Sequence, residues 1–309
     1  MENFLTQLPQ QLINGLTLGG VYALIALGYS MVYGVLQLLN FAHGDVYMVG
    51  AFIGFGVMTA LLGETGPLIP SALVIAFMLL AAMLGCGLLG IGIEWTAYRR
   101  LRNAPRIAPL ISALGVSFFI QNAVQLTLTA QFRTYRTEEL IPTALGIDLF
   151  NARLSAARAL VIVVAVLLMV ALQVVVRRTK LGKAMRAVAL DREAAAMMGV
   201  DVDRVIVATF FVGSALAGAA GVLTGIVFTR VWHFMGFNAG LKGFTAAVVG
   251  GIGNIPGAML GGFLLGLAES FAVGFISSTY KDVIAFVVLV IVLLVRPRGL
   301  LGARIAQKV

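Results

Sequence analysis

Long apolar runs recur along this chain and constrain its fold more than any other feature. The run at residues 159–176 reads ALVIVVAVLLMVALQVVV and is apolar on every side. A transmembrane helix needs about 20 such residues, whereas the strands of a membrane β-barrel alternate apolar and polar side chains. Only 11% of the 309 residues are charged and 60% are hydrophobic, too little polar surface for a water-soluble globule. The sequence therefore predicts an all-α, polytopic helical membrane protein.

About eight segments are predicted to cross the membrane within a single transmembrane domain, residues 1–309. They lie near residues 11–35, 45–63, 69–98, 107–129, 156–176, 205–228, 256–276 and 281–296, and a shorter glycine-rich element lies near 243–254. Arg204 and Arg296 are both expected at the cytoplasmic face, which requires an even number of crossings between them. Either 243–254 crosses as a short, broken helix, or one of the predicted spans is re-entrant.

The positive charge is concentrated in three segments. Of the 22 Lys and Arg residues, four lie in residues 99–106, seven in 177–204 and four in 296–308. Basic residues mark cytoplasmic segments of membrane proteins, so these three are predicted to share the cytoplasmic side, with the N-terminus outside. The loop at 131–153 balances three arginines against three acidic residues and is predicted to face outside. This placement favours a membrane orientation signal over nucleic-acid binding.

Two polar, glycine-bearing interruptions stand between apolar runs. Residues 36–52 read LQLLNFAHGDVYMVGAF, and residues 248–262 read VVGGIGNIPGAMLGG. Broken helices at membrane depth are tolerated only where they are buried in protein or line a cavity. We therefore expect two discontinuous helices to meet near a translocation pathway lined by five residues: Asn40, His43, Asp45, Asn254 and Pro256.

Individual polar residues within the spans have simpler alternatives. Asp45 could instead cap the helix that follows it, and His43 could be a satisfied buried donor. Glu94 is expected in the membrane interface near Arg99, and Glu269 is a deep carboxylate without an identifiable partner. With two histidines and one cysteine in the chain, no metal site, disulfide or cofactor is predicted.

The cytoplasmic segment at about 177–204 carries the most specific pattern. It is rich in Ala, Met, Leu and Arg, which predicts short helices lying against the membrane. Glu193, Ala194 and Ala195 are followed by Gly199, and the four-residue spacing of Ala195 and Gly199 predicts a shared helical face that a partner can approach. An ordinary amphipathic helix at the interface is the alternative.

The motifs of three stretches resemble one family. Residues 14–52, the loop LGKAMRAVALDREAAAMMGV at 181–200 and FTAAVVGGIGNIPGAMLGG at 244–262 are similar to the LivH-type permeases of bacterial branched-chain amino acid ABC importers. The resemblance implies a multi-pass inner-membrane subunit without enzymatic activity that carries amino acids inward. The implied partners are a LivM-like permease, two cytoplasmic ATP-binding subunits and a periplasmic substrate-binding protein. The loop residues implied in ATPase coupling are Arg186, Glu193, Ala194, Ala195 and Gly199.

Any ATP that drives transport by such a permease must be hydrolysed by a partner. The Gly182-Lys183 pair is followed by Ala184, so it does not form a phosphate-binding loop of the G-x4-G-K-[ST] type. Related urea permeases share these motifs, so a urea or short-amide substrate is an alternative. An ion-coupled secondary carrier and a passive channel for small neutral solutes remain as rival classes.

Overall fold

The computed structural model describes residues 2–63, 66–102, 104–105, 107–128, 130–149 and 152–302, and these form a helical bundle. The helices, in chain order, are α1 (Glu2–Leu36), α2 (His43–Leu61), α3 (Ser71–Ile93), α4 (Ile107–Leu128), α5 (Thr137–Leu140), α6 (Ala156–Arg178), α7 (Lys180–Leu190), α8 (Arg192–Met197), α9 (Val202–Phe228), α10 (Met235–Gly250), α11 (Ile255–Phe275) and α12 (Lys281–Val295). Eight helices of the described part are long and apolar enough to cross a membrane. The predicted fold class, a polytopic helical membrane protein, is confirmed.

Short strands occur only in the connections of the described ranges. They are β1 (Leu62–Gly63), β2 (Gly66–Pro67), β3 (Arg133–Thr134), β4 (Gly146–Leu149), β5 (Ala152–Ser155) and β6 (Arg230–Val231). Each pairs antiparallel in a two-stranded sheet, in the order β1–β2, β3–β6 and β4–β5. The β3–β6 pair joins the loop after α4 to the loop after α9, so the two loops lie at the same end of the bundle.

Helix α1 runs through the centre of the bundle and packs on α11, α9 and α10. In the most hydrophobic part of this helix, 89% of the residues are buried in the protein. The corresponding share in the last span is 6%, so that span lies at the periphery of the bundle. Glycines make the central contacts close: a β-carbon at Gly266 of α11 would lie 2.3 Å from the backbone nitrogen of Gly19. Because association in lipid depends on packing, such small residues let the backbones approach.

The glycine-rich element near the end of the chain is longer than predicted. It begins at Met235 rather than near residue 243, and α10 then continues without a break to Gly250. It starts shortly after β6 and ends beside the tail, where Leu300 and Leu301 donate backbone hydrogen bonds to Val249 and Gly250. α10 therefore joins the two ends of the bundle as a short helix of 16 residues. This favours the alternative in which the glycine-rich element crosses, but it does so as one unbroken helix rather than a broken one.

The three basic segments meet at one end of the bundle. Arg102 forms an ion pair with Asp203, which links the first segment to the second. Arg192 donates to the carbonyl oxygen of Leu36 at 2.7 Å, which holds the second segment against the end of α1. The tail packs there too, through the bonds at the end of α10 described above. This clustering of basic residues agrees with one cytoplasmic face, as the charge distribution predicts.

The opposite end carries the loops predicted to face outside, and we refer to it as the outer end. Arg153 lies in β5 and its backbone N–H donates to Gln10 near the start of α1 at 2.9 Å. The loop between α4 and α6 therefore closes over the first turns of α1.

Glu94 lies near the end of the third span, close to Arg99 in the chain, but it is buried in protein and its ion-pair partner is not Arg99. Its side chain is fully buried where α3 ends in a π-helical turn (Glu94–Tyr98), and it pairs with Arg102. Arg99 instead pairs with Asp203 at 3.1 Å. A buried carboxylate requires a partner, and the curled end of α3 brings Arg102 back to supply it.

Candidate translocation site and coupling segment

The first polar interruption is an extended connection between α1 and α2. Gln37 has a positive φ of 55°, which ends α1, and the Asn40 side chain accepts from the backbone N–H of Ala42 at 3.2 Å. The hydroxyl of Tyr98 donates to the carbonyl oxygen of Leu39 at 3.0 Å. The exposed backbone of this connection is thus satisfied by side chains, as a break at membrane depth requires.

Asp45 does not cap α2, which corrects that alternative. The capping position is Ala42, which has no side-chain hydrogen bond, and Asp45 lies in the first turn. Its buried carboxylate accepts from Ser117, and from Gln121 Nε2 at 2.9 Å, both on α4. The carboxylate therefore joins α2 to α4 within the bundle.

His43 is buried against α1. Its ring lies 4.8 Å from the ring of Tyr29 in an edge-on arrangement, and its Nε2 atom has no hydrogen-bond partner. A β-carbon at Gly28 would lie 2.3 Å from the ring. The ring fills a space that glycine leaves open, and no group of three or more potential metal-ligating side chains occurs in the described ranges.

The second interruption is a turn rather than a break inside a helix. Gly251 and Gly253 have positive φ angles of 108° and 88°, and they connect α10 to α11. Asn254 caps α11 by accepting from the N–H of Gly257 at 3.3 Å, and it donates to the carbonyl oxygen of Leu301 at 2.5 Å. Pro256 occupies the first turn of α11, where its missing N–H costs nothing.

The two interruptions thus do not form the matching pair of discontinuous helices expected from the sequence. Gly253 packs on Gly34 near the end of α1, at the end of the bundle where the basic segments meet. His43 and Asp45, by contrast, begin α2 and pack against α1 and the middle of α4. Asn254 and Pro256 have contacts typical of a helix cap, whereas His43 and Asp45 have buried contacts between helices.

A cavity of about 540 Å³ opens at the outer end, between α1, α9, α10 and α11. Its apolar lining includes Leu18, Val21, Met235, Ala239 and Val273, and its charged lining consists of Arg158, Arg230, Lys242, Glu269, Lys281 and Asp282. Its volume falls in the usual range of small-molecule sites, about 300–1,000 Å³.

One face of α10 lines this cavity, and the other seals the bundle beneath it. Met235, Ala239 and Lys242 follow helical spacing on the cavity side. Gly240 approaches Gly44, where an added β-carbon would lie 2.9 Å from the backbone, and Gly243 approaches Ile25 at 2.3 Å by the same measure. These close contacts separate the cavity from His43 and Asp45.

A buried ion network lies in the cavity wall. Lys242 Nζ is 2.7 Å from Glu269 Oε1 and 2.7 Å from Asp282 Oδ1, so it joins α10, α11 and α12. The hydroxyl of Tyr22 on α1 donates to Glu269 Oε2 at 2.9 Å. The partner that sequence reasoning did not find for Glu269 is therefore Lys242. The available signal was a lysine within the apolar stretch GLKGFTAAVV, since such residues in membrane segments are rare and usually functional.

In the cytoplasmic segment, α7 and α8 are short helices, as predicted. Asp191 caps α8 by accepting from the N–H groups of Glu193 and Ala194 at 3.0 and 3.1 Å. Glu193 and Ala194 are exposed, but Ala195 is buried against the bundle. Gly199 follows the end of α8 with a positive φ of 82°. The prediction that Ala195 and Gly199 form one open helical face is therefore wrong.

Large apolar side chains project from this segment instead. Leu190, Met197 and Met198 are 85%, 85% and 84% exposed. Arg186 is exposed and donates to the carbonyl oxygen of Val176 at the end of α6. Burial, and secondly the nearby charge of Arg102, lowers the pKa of Arg192, but a guanidinium remains charged at neutral pH. The segment is thus fixed to the bundle on one side and presents apolar groups on the other.

Comparisons with known proteins agree with this architecture. The family model described as "Branched-chain amino acid transport system / permease component" matches residues 11–293. The permease protein LivH of the high-affinity branched-chain amino acid transport system of Escherichia coli (strain K12) is 42% identical over 318 residues, covering 100% of this chain and 99% of LivH. BraD of Pseudomonas aeruginosa, described in the same words, is 45% identical over 97% of both chains. A probable LivH of Methanocaldococcus jannaschii is 25% identical over 90% of this chain and 88% of its own length. No solved structure matches the chain significantly.

Proposed function

Because the chain belongs to the permease family of branched-chain amino acid transport systems, we propose that it is the membrane subunit of an ATP-driven importer for leucine, isoleucine and valine. The chain is a multi-pass membrane protein, and the proposed location is the inner membrane of a bacterium. The proposed partners are a LivM-like second permease, two cytoplasmic ATP-binding subunits and a periplasmic substrate-binding protein. The subunit itself performs no chemical reaction, and its work is to open and close a pathway.

The observation that carries the ATP-driven assignment is the exposed apolar surface of the cytoplasmic segment, formed by Leu190, Met197 and Met198. Clustered exposed apolar groups mark sites of contact with another protein or a membrane. The segment is anchored by Arg192 to the end of α1, next to the connection that leads to His43 and Asp45. A partner that moves this segment therefore acts directly on the first interruption, as a separate ATPase needs to do.

The test is whether this surface holds the ATP-binding subunits. Met198→Glu and Leu190→Glu place a charge in the proposed interface, and the expected result is loss of ATPase recovery when the tagged permease is purified from detergent-solubilised membranes. Central hot-spot residues contribute about 2 kcal/mol or more to such interfaces, or roughly 30-fold in affinity. Membrane insertion is expected to remain, because the segment lies outside the spans.

Leu145→Glu is the matched control, since Leu145 is 57% exposed in the loop at the outer end and undergoes the same change. It is expected to keep full ATPase recovery. If Met198→Glu and Leu190→Glu retain the ATPases as this control does, the segment lies against lipid as an interfacial helix and the docking proposal fails.

The transport step itself is tested in proteoliposomes containing the two permeases, the ATPases and the binding protein. Leucine uptake should require ATP and should not respond to a proton or sodium gradient. ATP-dependent uptake of urea in place of leucine would assign the other substrate class. Leucine flux without ATP would favour a carrier or channel.

A further inference from the structure

We propose that the cavity at the outer end is a binding site for a zwitterionic α-amino acid with an apolar side chain, anchored at the Lys242–Glu269 pair. This inference rests on the proposed function and gives the permease its own substrate site, separate from that of any binding protein. The cavity, its charges and its apolar wall each support it.

The burial of the ion pair requires a reason beyond stability. The side chains of Lys242 and Glu269 are only 9% and 6% exposed. Burying two charges costs about as much as their attraction returns, so a buried pair rarely stabilises a fold more than apolar residues of the same size. Helices that needed only to be held together would pack with apolar side chains there. The pair instead lies in the wall of a cavity, where a ligand can reach it.

The network keeps hydrogen-bonding capacity for a ligand. A lysine ammonium has three N–H donors, and Lys242 uses two of them, on Glu269 and Asp282. Asp282 is 51% exposed and is the partner that a ligand can replace more easily. A substrate carboxylate can accept from Lys242 in place of Asp282, and the released Asp282 carboxylate, together with Glu269, can accept from the substrate ammonium.

Further positive charge favours the carboxylate end of the substrate. Arg158 and Arg230 also line the cavity, and neither forms an ion pair with any residue of the described ranges. A guanidinium presents two parallel donors that match the two oxygens of a carboxylate. The cavity therefore offers positive and negative groups, and a zwitterion requires both. Urea is uncharged and requires neither.

The remaining wall is suited to an alkyl chain. Leu18 and Val21 contribute from α1, Met235 and Ala239 from α10, and Val273 from α11. Burying each CH2 group of a ligand against such a wall contributes about 0.8 kcal/mol, so larger aliphatic side chains are favoured over small ones. A polar anchor with an apolar wall is the usual composition of a small-molecule site.

The experiment measures protection of the cavity from a thiol reagent. A single cysteine replaces Ala239 in a Cys86→Ala background, and the assembled permease complex is reconstituted in proteoliposomes without the binding protein. Leucine is the probe, and 3-methylbutylamine and 4-methylpentanoate are the analogues that lack its carboxylate or its ammonium. A single cysteine at Thr143 in the loop at the outer end, carried in the same background, is the positional control.

We expect leucine to slow labelling of Ala239→Cys and not of Thr143→Cys. Each analogue should need a concentration about 10- to 100-fold higher, because each loses one set of hydrogen bonds to charged groups. The double variant Lys242→Met/Glu269→Gln removes both charges together and so avoids an unpaired buried charge; it should abolish the protection. Glu139→Gln changes an exposed ion-paired carboxylate at the same end of the molecule and should leave protection unchanged.

Two results would overturn the proposal: no protection by leucine, or equal protection in a correctly assembled double variant. Recovery of the ATPases with the double variant shows that it is assembled. ATP-dependent leucine uptake by the wild-type complex, with the binding protein added, is measured in parallel. If that uptake is present without protection, the cavity proposal fails and the proposed function stands; if protection is present without such uptake, the proposed function fails.

Discussion

Gly199 provides the sharpest test of how the cytoplasmic segment works. It follows α8 with a φ of 82°, in the left-handed region that favours glycine. Its N–H donates to the carbonyl oxygen of Ala196 at 2.9 Å, and the next N–H, of Val200, donates to Ala195 at 3.0 Å, so both bonds close the end of the helix. A β-carbon added at Gly199 would meet no atom within 4 Å. Within this chain, a side chain at this position is therefore costly for conformational reasons and not for lack of space.

The magnitude follows from the backbone. An L-residue in the left-handed conformation costs about 1–2 kcal/mol, and asparagine adopts it more readily than alanine or leucine. Since no neighbouring atom contacts the side chain, Gly199→Ala and Gly199→Leu should cost nearly the same, and Gly199→Asn less. A cost of 1–2 kcal/mol is about 5- to 30-fold in an equilibrium, and the apparent affinity for a partner falls by at most that factor.

The assay titrates purified ATP-binding subunits onto the solubilised permease and measures the dissociation constant. The expected order of affinity is the wild type, then Gly199→Asn, then Gly199→Ala and Gly199→Leu together, with a loss of up to about 30-fold. Gly56→Ala is the matched control, because Gly56 also has no atom within 4 Å of an added β-carbon, and its φ lies outside the left-handed region. It should bind as the wild type does.

The result that refutes the conformational argument is a ranking by size. If Gly199→Ala binds normally and Gly199→Asn and Gly199→Leu both fail, the glycine is needed because the partner approaches closely, as its sequence pattern suggested. If all three variants bind the ATP-binding subunits as the wild type does, this end of α8 has no part in docking.

Three further predictions concern topology and the two polar interruptions. Single cysteines replacing Thr143 and Thr179 in a Cys86→Ala background should react with an impermeant thiol reagent from opposite sides of the membrane; labelling from the same side contradicts the orientation. Asn254→Leu should lower the free energy of unfolding by about 1 kcal/mol through loss of the α11 cap, with Asn254→Asp milder; lost uptake at unchanged thermal stability would instead indicate a pathway role. Asp45→Asn should cost about 1–3 kcal/mol, measured by thermal unfolding of the assembled complex, because the two α4 donors bond to two separate carboxylate oxygens and the amide places an NH2 group at one of these positions; unchanged stability would show that these bonds contribute nothing.

The amino-acid sequence by itself determined the membrane helices and the positions where they are interrupted. These properties are local: in lipid, a run of about 20 apolar residues must satisfy its backbone hydrogen bonds within its own helix, whatever its neighbours are. The basic clusters likewise predicted which connections share one end, and Arg102, Arg192 and the tail meet there. The helix-forming cytoplasmic segment was also predictable, since its composition and its Asp191 cap are features of consecutive residues.

Only the tertiary structure decided which polar groups meet. Lys242 and Glu269 are 27 positions apart, and Asp45 and Gln121 are 76 apart, so neither pair has a signal in the spacing of its residues. Which faces of the helices meet depends on where glycines allow close approach, as Gly44 and Gly240 do. The two interruptions look similar in the sequence but pack differently for the same reason. His43, at the start of α2, is buried between helices, whereas Asn254 lies in the turn between α10 and α11. Hydropathy is a property of one segment, whereas the partner of a buried charge is a property of the packing between segments.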